Sequence, residues 1–212
     1  MSRPYVIGIT GGSASGKTTL TNSLVELLPE YRCAILHQDR YFKDFTFLPD
    51  NERELLATAN NPDALVWPEF LEQFHRLLEG KAVTEPAPFT RLSRRTQESV
   101  TVEPGDVLIV EGLFALWHDG VRAEMDLRIY MEVDDDERVL RRLARDIVER
   151  GGTVPSVIAW YRKDVAPNFP KYTRATARLA DLIVPNHQSC DVAARLIADG
   201  VRAQLRARAT TA

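Results

Sequence analysis

Apolar positions along this chain fall into two alternating kinds of run. Short, nearly continuous runs occur at Tyr5–Thr10, Cys33–His37, Val107–Val110, Leu127–Val133 and Leu182–Val184. Unbroken apolar runs of this length predict strands covered on both faces. Longer runs with helical spacing lie between them, at Lys17–Leu28, Pro68–Glu79, Asp136–Arg150, Pro155–Val165 and Asp191–Arg206. In the first of these Leu20, Leu24, Leu27 and Leu28 share one face, and Pro29 stops the helix. Strands alternating with helices predict an α/β fold built on a mainly parallel, doubly wound sheet.

Two stretches break the alternation. Lys81–Pro104 is rich in Pro, Thr, Ser and Arg and predicts a β-hairpin inserted before the third strand. Arg138–Arg178 is charged, carries Gly151-Gly152 and three prolines, and predicts a mobile helical lid. Insertions at the loop ends of such a sheet tend to form the ligand site, although they can also be surface decoration. With 212 residues, a single domain spanning 1–212 with these two additions is expected.

Composition narrows the classes. Apolar residues are 44% and charged residues 27%, ordinary for a globular chain. A formal net charge of −3 argues against a nucleic-acid binder. No apolar run approaches the roughly 20 residues of a membrane span. Met1-Ser2-Arg3-Pro4 leads straight into the first strand, so no signal peptide is expected. Cys33 and Cys190 form neither a zinc spacing nor a disulfide framework. A reduced, cytoplasmic protein is the expectation.

Chemistry enters at Gly11-Gly12-Ser13-Ala14-Ser15-Gly16-Lys17-Thr18, which fits G-x-x-x-x-G-K-[ST] between a strand and a helix. Glycines let the backbone turn tightly, so successive N–H groups aim at phosphate oxygens. The helix N-terminus adds a favourable partial positive charge. Lys17 is placed to reach the β and γ phosphates, and the Thr18 hydroxyl to meet Mg²⁺. Two carboxylates follow strands, Asp39 in His37-Gln38-Asp39 and Glu111 in Val110-Glu111-Gly112. In a doubly wound sheet, the carboxyl ends of neighbouring strands line one crevice. A carboxylate there can take the proton of an attacking hydroxyl or hold Mg²⁺. Asp39 is assigned as general base and Glu111 to the metal; exchange of the two roles remains open, as does a plain turn or cap role.

The run Asp134-Asp135-Asp136-Glu137 places acidic residues at a helix N-terminus, where the dipole favours them. Val139, Leu140, Leu143 and Ile147 are expected as its buried stripe. Arg138, Arg142 and Arg145 share one face. Like charges so spaced repel by a few tenths of a kcal/mol per pair, a sign that a bound triphosphate reverses. The same residues also form i, i+4 pairs with acids, so a salt-bridged solvated face is the competing reading.

Taken together, these motifs resemble the uridine/cytidine kinase branch of the phosphoribulokinase and uridine kinase family. The resemblance rests on Ile9 through Thr19, Gln38-Asp39 with the aromatics after it, Asn61-Pro62-Asp63-Ala64, Val110-Glu111-Gly112, Arg141 through Gly151, and Ala180 through Pro185. It spans residue 5 to about 200. It implies a five-stranded P-loop kinase core, an ATP–Mg²⁺ donor cradled by residues 11–19 including Thr19, and transfer to a primary hydroxyl. It implies Asp39 as the base at a nucleoside 5′-hydroxyl, and Arg142 and Arg145 at the phosphates or acceptor. It also implies a homo-oligomer, a dimer or tetramer.

On the acceptor side the expected contacts are Asp39, Tyr41, Phe42, Asn60, Phe89, Arg91, Arg142, Trp160 and Lys171. Several depart from the family's pattern. Asn60 stands where uridine kinases carry an aspartate gripping the ribose hydroxyls. Ala87-Pro88-Phe89 stands where they carry Tyr-Asp-Phe, and no His or Tyr occurs at Arg91–Ser93. Gly152 and Trp160 replace a lid arginine and a nearby glutamine. A site built to hydrogen-bond its substrate discriminates through those groups, so their loss suggests a different or broader acceptor. Cations gather instead at Arg91, Arg94, Arg95, Lys171 and Arg174, as solvated charges or as the wall of a pocket for a sugar phosphate or hydroxy acid. Nicotinamide riboside is a further candidate acceptor. Trp67 and Trp117 read as packing residues. A P-loop switch or binding module is the rival class, but the chain lacks the Asn-Lys-x-Asp that would read guanine. Asp39 beside an acceptor-shaped insertion favours a small-molecule kinase.

Overall fold

The computed structural model describes residues 3–45, 48–49, 52, 56–87 and 99–211. Five strands, β1 (Tyr5–Gly11), β2 (Cys33–His37), β5 (Val107–Glu111), β6 (Leu127–Glu132) and β7 (Leu182–Pro185), form one parallel sheet in the order β2-β5-β1-β6-β7. These are the five predicted runs, with ends shifted by a residue. All seven residues of β1 are buried, because neighbours lie on both sides and helices on both faces.

Alternate residues of the strands feed two cores. On one face Ile7, Ile9, Val107 and Ile109 meet Leu20 and Leu24 of α1 (Lys17–Leu27) and Ala194, Ala198 and Val201 of α6 (Asp191–Thr211). On the other, Val6, Leu36, Leu108 and Val110 meet Phe70, Phe74 and Leu77 of α2 (Trp67–Leu78). Each fully buried aliphatic or aromatic side chain of this kind contributes roughly 1.5–3 kcal/mol. The short helix α3 (Asp119–Ala123) caps that second face through buried Val121.

The predicted hairpin is present as β3 (Val83–Glu85) paired antiparallel with β4 (Val100–Val102). Its connection, residues 88–98, which carries Phe89 and Arg91, lies outside the described residues. The segment expected to form the lid begins with α4 (Asp135–Val148). It continues in α5, helical over Val154–Trp160, π-helical over Tyr161–Val165 and helical again over Ala166–Asn168. The expectation of one regular helix over Pro155–Val165 is thereby corrected.

The apolar stripe expected on α4 is corrected in part: Val139, Leu143 and Ile147 are half-buried, and Val139 and Leu143 face Val157 and Ile158 of α5. Leu140 is 61% exposed and faces outward, as does Val148 beyond the predicted stripe, while Arg138 and Asp146 are the buried residues. The inner face of this helix meets a polar loop rather than the sheet, so charged groups with partners belong there.

Candidate active site

The phosphate-loop sequence leaves β1 at Gly11 and opens α1 at Lys17, and the order of the sheet puts that turn beside the carboxyl ends of β5 and β6. Gly16 has φ +90°, and a Cβ there would sit 2.1 Å from the Asn186 amide nitrogen, so only glycine fits. A Cβ on Gly12 would lie 2.4 Å from an Arg138 guanidinium nitrogen. No side chain caps the start of α1. Its first N–H groups therefore remain for an anion, and the Ser15 hydroxyl beside them is buried without a partner. Among the described residues, these observations fit a phosphate group at residues 11–19.

Lys17 folds back so that its ammonium donates to the carbonyls of Gly11 (3.2 Å) and Gly12 (3.1 Å). Burial lowers its pKa; Asp39 and Glu111 oppose that shift, and Arg145 and Arg138 reinforce it. Added phosphate charge would restore the ammonium's preference for its proton. Glu111 ends β5 and is buried, in register with His37 of β2 and Ile9 of β1. Its two oxygens accept from Thr18 (3.2 Å) and Thr21 (3.3 Å). Burial raises its pKa and Asp39 adds to this, against Lys17, His37 and the Thr18 bond. Among the described residues no cluster of three His, Cys, Asp or Glu could hold a metal by itself. The hydroxyl–carboxylate pair Thr18 and Glu111 is instead the oxygen donor set that suits Mg²⁺ held jointly with phosphates and water.

Asp39 lies on the 3-10 turn Gln38–Tyr41 directly after β2 and is exposed. The turn is fixed from both sides. Gln38 accepts at 2.8 Å from the Phe114 N–H, and Arg40 and His37 both reach Glu85 of β3. Glu85, 1% exposed, takes the His37 N–H at 2.6 Å, His37 Nδ1 at 3.2 Å and Arg40 Nε at 3.0 Å. Burial works against protonation of His37, but the hydrogen bond and charge of Glu85, helped by Glu111, outweigh it and raise its pKa.

The arginine helix is divided in its duties. Arg138 lies against Gly12 with its Cζ 3.7 Å above the Phe169 ring, and its Nε is buried without a partner. Arg145 donates to the Ser13 hydroxyl at 3.1 Å. Arg141 ties the helix to the end of β7 through the carbonyls of Asn186 (3.0 Å) and His187 (2.6 Å). Arg142, Arg145 and Arg150 surround the buried carboxylate of Asp146, at 3.3, 2.8 and 3.4 Å. Burial pushes the Arg142 guanidinium down to about 10, with Asp146 opposing, so it stays charged at neutral pH. Salt-bridged pairs and a set facing the phosphate-loop sequence thus coexist on one helix.

The structure therefore brings Lys17, Thr18, Glu111, Arg145 and residues 11–16 into one locus, with Asp39 within electrostatic reach of Lys17 and Glu111. It does not bring every expected acceptor residue there. Tyr41 is 1% exposed, donates to Gln73 at 2.6 Å and packs edge-on against Phe70, so it is a core residue. Phe42 is half-buried against the same core and bridges Leu65. Asn60 is buried and donates to Asp164 at 2.7 Å. Trp160 is 6% exposed and packs with Val165 and Phe169 inside the lid. Lys171 is exposed, and Arg174 is engaged with Asp135 at 2.5 Å. Arg138, which shares a helical face with Arg142 and Arg145, rests on the phosphate loop, and Asn186 after the last strand reaches the Ser15 carbonyl; of the residues that shape the site, Glu85 is the one sequence reasoning misses. Arg138 had a signal, since it lies seven positions before Arg145 on the same helical face. Glu85 had none, because a strand glutamate reads as solvent-facing until its partners are in place.

A phosphate cradle facing carboxylates at the next strand ends serves proteins that move phosphoryl groups, and the class is that of P-loop phosphotransferases. The profile described as "Phosphoribulokinase / Uridine kinase family" matches residues 6–193. A uridine kinase of Bacillus pumilus is 38% identical over 208 residues, covering 98% of this chain and 99% of its own. One from Deinococcus deserti is 40% identical over 185 residues, covering 87% and 88%. Among solved structures, phosphoribulokinase from Rhodobacter spheroides superposes with TM-score 0.63 at 15% identity, covering 86% of this chain and 70% of its own, a likeness of fold alone. This chain belongs to the phosphoribulokinase/uridine kinase family and is an ATP-dependent phosphotransferase.

Proposed function

We propose that this kinase transfers the γ-phosphate of ATP to the 5′-hydroxyl of uridine or cytidine. The observation that carries the acceptor is the full-length similarity to proteins named uridine kinase. Asp39 accepts the hydroxyl proton as the acceptor oxygen forms its bond to the γ-phosphorus. The bond from that phosphorus to the β–γ bridging oxygen breaks, and ADP leaves. Lys17, Arg145 and Arg138 balance the charge that spreads over the phosphoryl oxygens, which is where this loose transition state needs help. Thr18 and Glu111 would hold Mg²⁺, which when bound would neutralise phosphate charge. Arg142 stays charged beside Asp146 and is the lid's reserve cation for the acceptor or phosphates.

A second reading keeps the reaction and changes the acceptor. It is favoured by Asn60, whose amide is already committed to Asp164, and by Trp160, which packs inside the lid. Nicotinamide riboside, a sugar phosphate or a hydroxy acid are its candidates. A coupled ADP-release assay with Mg²⁺–ATP decides between them, run against uridine, cytidine, nicotinamide riboside, ribulose 5-phosphate and glycerate. Turnover on the pyrimidine nucleosides supports the first reading. Silence there with turnover on another acceptor establishes the second.

A homo-oligomer belongs to the same proposal. Leu182 and Ile183 on the edge strand and Val192 and Leu196 on α6 are exposed apolar residues that suit a contact between copies. Sedimentation at micromolar concentration tests it. A cytoplasmic setting belongs to the same proposal and rests on Cys33 and Cys190 being free thiols.

A further inference from the structure

Asp164 is a buried carboxylate, 3% exposed, on the π-helical stretch of the lid. It has no place in the transfer chemistry described above. Its two oxygens gather four donors. They are the Thr58 hydroxyl, the Ala59 N–H at 3.0 Å, the Asn60 amide at 2.7 Å and the Asn168 amide at 3.1 Å. Three of the four come from one segment, 58–60, more than a hundred residues away in sequence. A carboxylate is costly to bury unless such donors surround it, so lid and segment hold each other.

On the kinase reading, that segment adjoins the stretch that carries the proposed base. The chain running on from Asn60 pairs with the chain running on from Asp39: Lys43 N–H donates to the Ala64 carbonyl at 2.7 Å and Val66 N–H to the Tyr41 carbonyl at 2.8 Å. The residues flanking Asp164 on the lid pack towards the phosphate loop. Trp160, Val165 and Phe169 cover Ala57 and Ala59, and the Phe169 ring lies beneath Arg138, which rests on Gly12. A contiguous run of contacts thus leads from the phosphate loop to Asn60. The Asn60–Asp164 bond also orients the amide. With its nitrogen facing the carboxylate, the amide's carbonyl oxygen is turned away from Asp164.

We propose that Asp164 is a positioning residue that carries nucleotide-driven lid closure to residues 58–60, whose chain runs on to pair with the segment after Asp39. The inference rests on the kinase reading and adds to it a coupling between the ATP and acceptor sides. The π-helical stretch Tyr161–Val165 that carries Asp164 suits the task, because it departs from the regular helix where the carboxylate reaches across.

Hydrogen exchange on the full chain tests this, with Mg²⁺ and a non-hydrolysable ATP analogue as the probe. In the wild type, exchange over 57–60 should slow about fivefold or more on adding the analogue, together with exchange over 11–18. In Asp164→Asn the slowing over 11–18 should persist and that over 57–60 should vanish. A merely structural role would raise exchange with and without nucleotide and leave the ratio unchanged. The exchanged pair Asn60→Asp with Asp164→Asn keeps one carboxylate and one amide, and should restore the response. If Asp164→Asn does not fold, Asn60→Ala, which removes one donor and leaves the carboxylate, should show a weakened response. Equal slowing over 57–60 in wild type and variant overturns the proposal, as does absence of slowing there in the wild type. Absence of slowing over 11–18 in the wild type instead removes the ATP reading, and the proposal with it.

Discussion

Asp39 and Glu111 end adjacent strands, yet their surroundings differ. Glu111 is buried and its oxygens are taken by two threonine hydroxyls, whereas Asp39 is exposed on its turn. The buried carboxylate with hydroxyl neighbours suits a cation, and the exposed one is free to take a proton from an incoming alcohol. Asp39→Asn should therefore lower kcat by about 10²–10⁴-fold, the usual worth of general-base catalysis. Its Kd for ATP, measured by titration calorimetry, should stay close to wild type, because the lost interaction belongs to the transition state. A parallel collapse of ATP affinity would exchange the two roles. At this scale sequence reasoning placed Lys17, Thr18 and Glu111 in one locus, because a loop motif and strand ends carry local signals. It put Tyr41 on the acceptor side, and the structure turns its ring into the core against Phe70. Which way a residue faces after a strand depends on what packs behind it, and α2 lies far along the chain.

At the scale of elements, the hairpin is latched to β2 by Glu85. His37 contributes to the latch when protonated, and its folded pKa lies above its ordinary value of 6.5. A raised histidine gives stability that is fully present below the unfolded pKa and is lost as pH rises through the folded one. Thermal unfolding should therefore show Tm falling as pH rises above about 6.5 through the raised pKa, and His37→Gln should flatten that slope. The lid helix supplies another test. Asp146 is the counter-charge to Arg142, Arg145 and Arg150. Asp146→Ala removes the buried carboxylate that all three arginines contact, leaving Asp164 near Arg142 and Asp39 and Glu149 near Arg150, and should destabilise by about 3 kcal/mol in urea unfolding. Saturating ATP should recover part of that loss, since its phosphates present the missing negative charge. Leu140→Ala on the opposite face should change stability by less than about 0.5 kcal/mol, as the side chain is 61% exposed.

Across the whole molecule, the phosphate loop is held between sheet and lid. Arg138, Arg145 and Asn186 each touch it from elements that follow it by more than a hundred residues. A ligand that engages this loop should stabilise sheet and lid together. At about 100 times its Kd, an ATP analogue contributes about 2.7 kcal/mol to the native state. For a chain of this size that corresponds to a rise in Tm of roughly 5–11 °C. Calorimetry should show it as one transition that shifts as a unit; a lid transition left behind at the ligand-free temperature would refute the shared packing.

The sequence by itself determined the sheet, the helices around it and the phosphate cradle. Those features are written in runs and spacings a few residues long, where burial on both faces, helical periodicity and glycine's freedom at φ > 0 act locally. Only the tertiary structure decided which arginine touches the loop, which glutamate latches the hairpin, and that Asn60 answers to Asp164. Each depends on a partner distant in the chain, and a buried charge takes its meaning from the groups that surround it rather than from its neighbours in sequence.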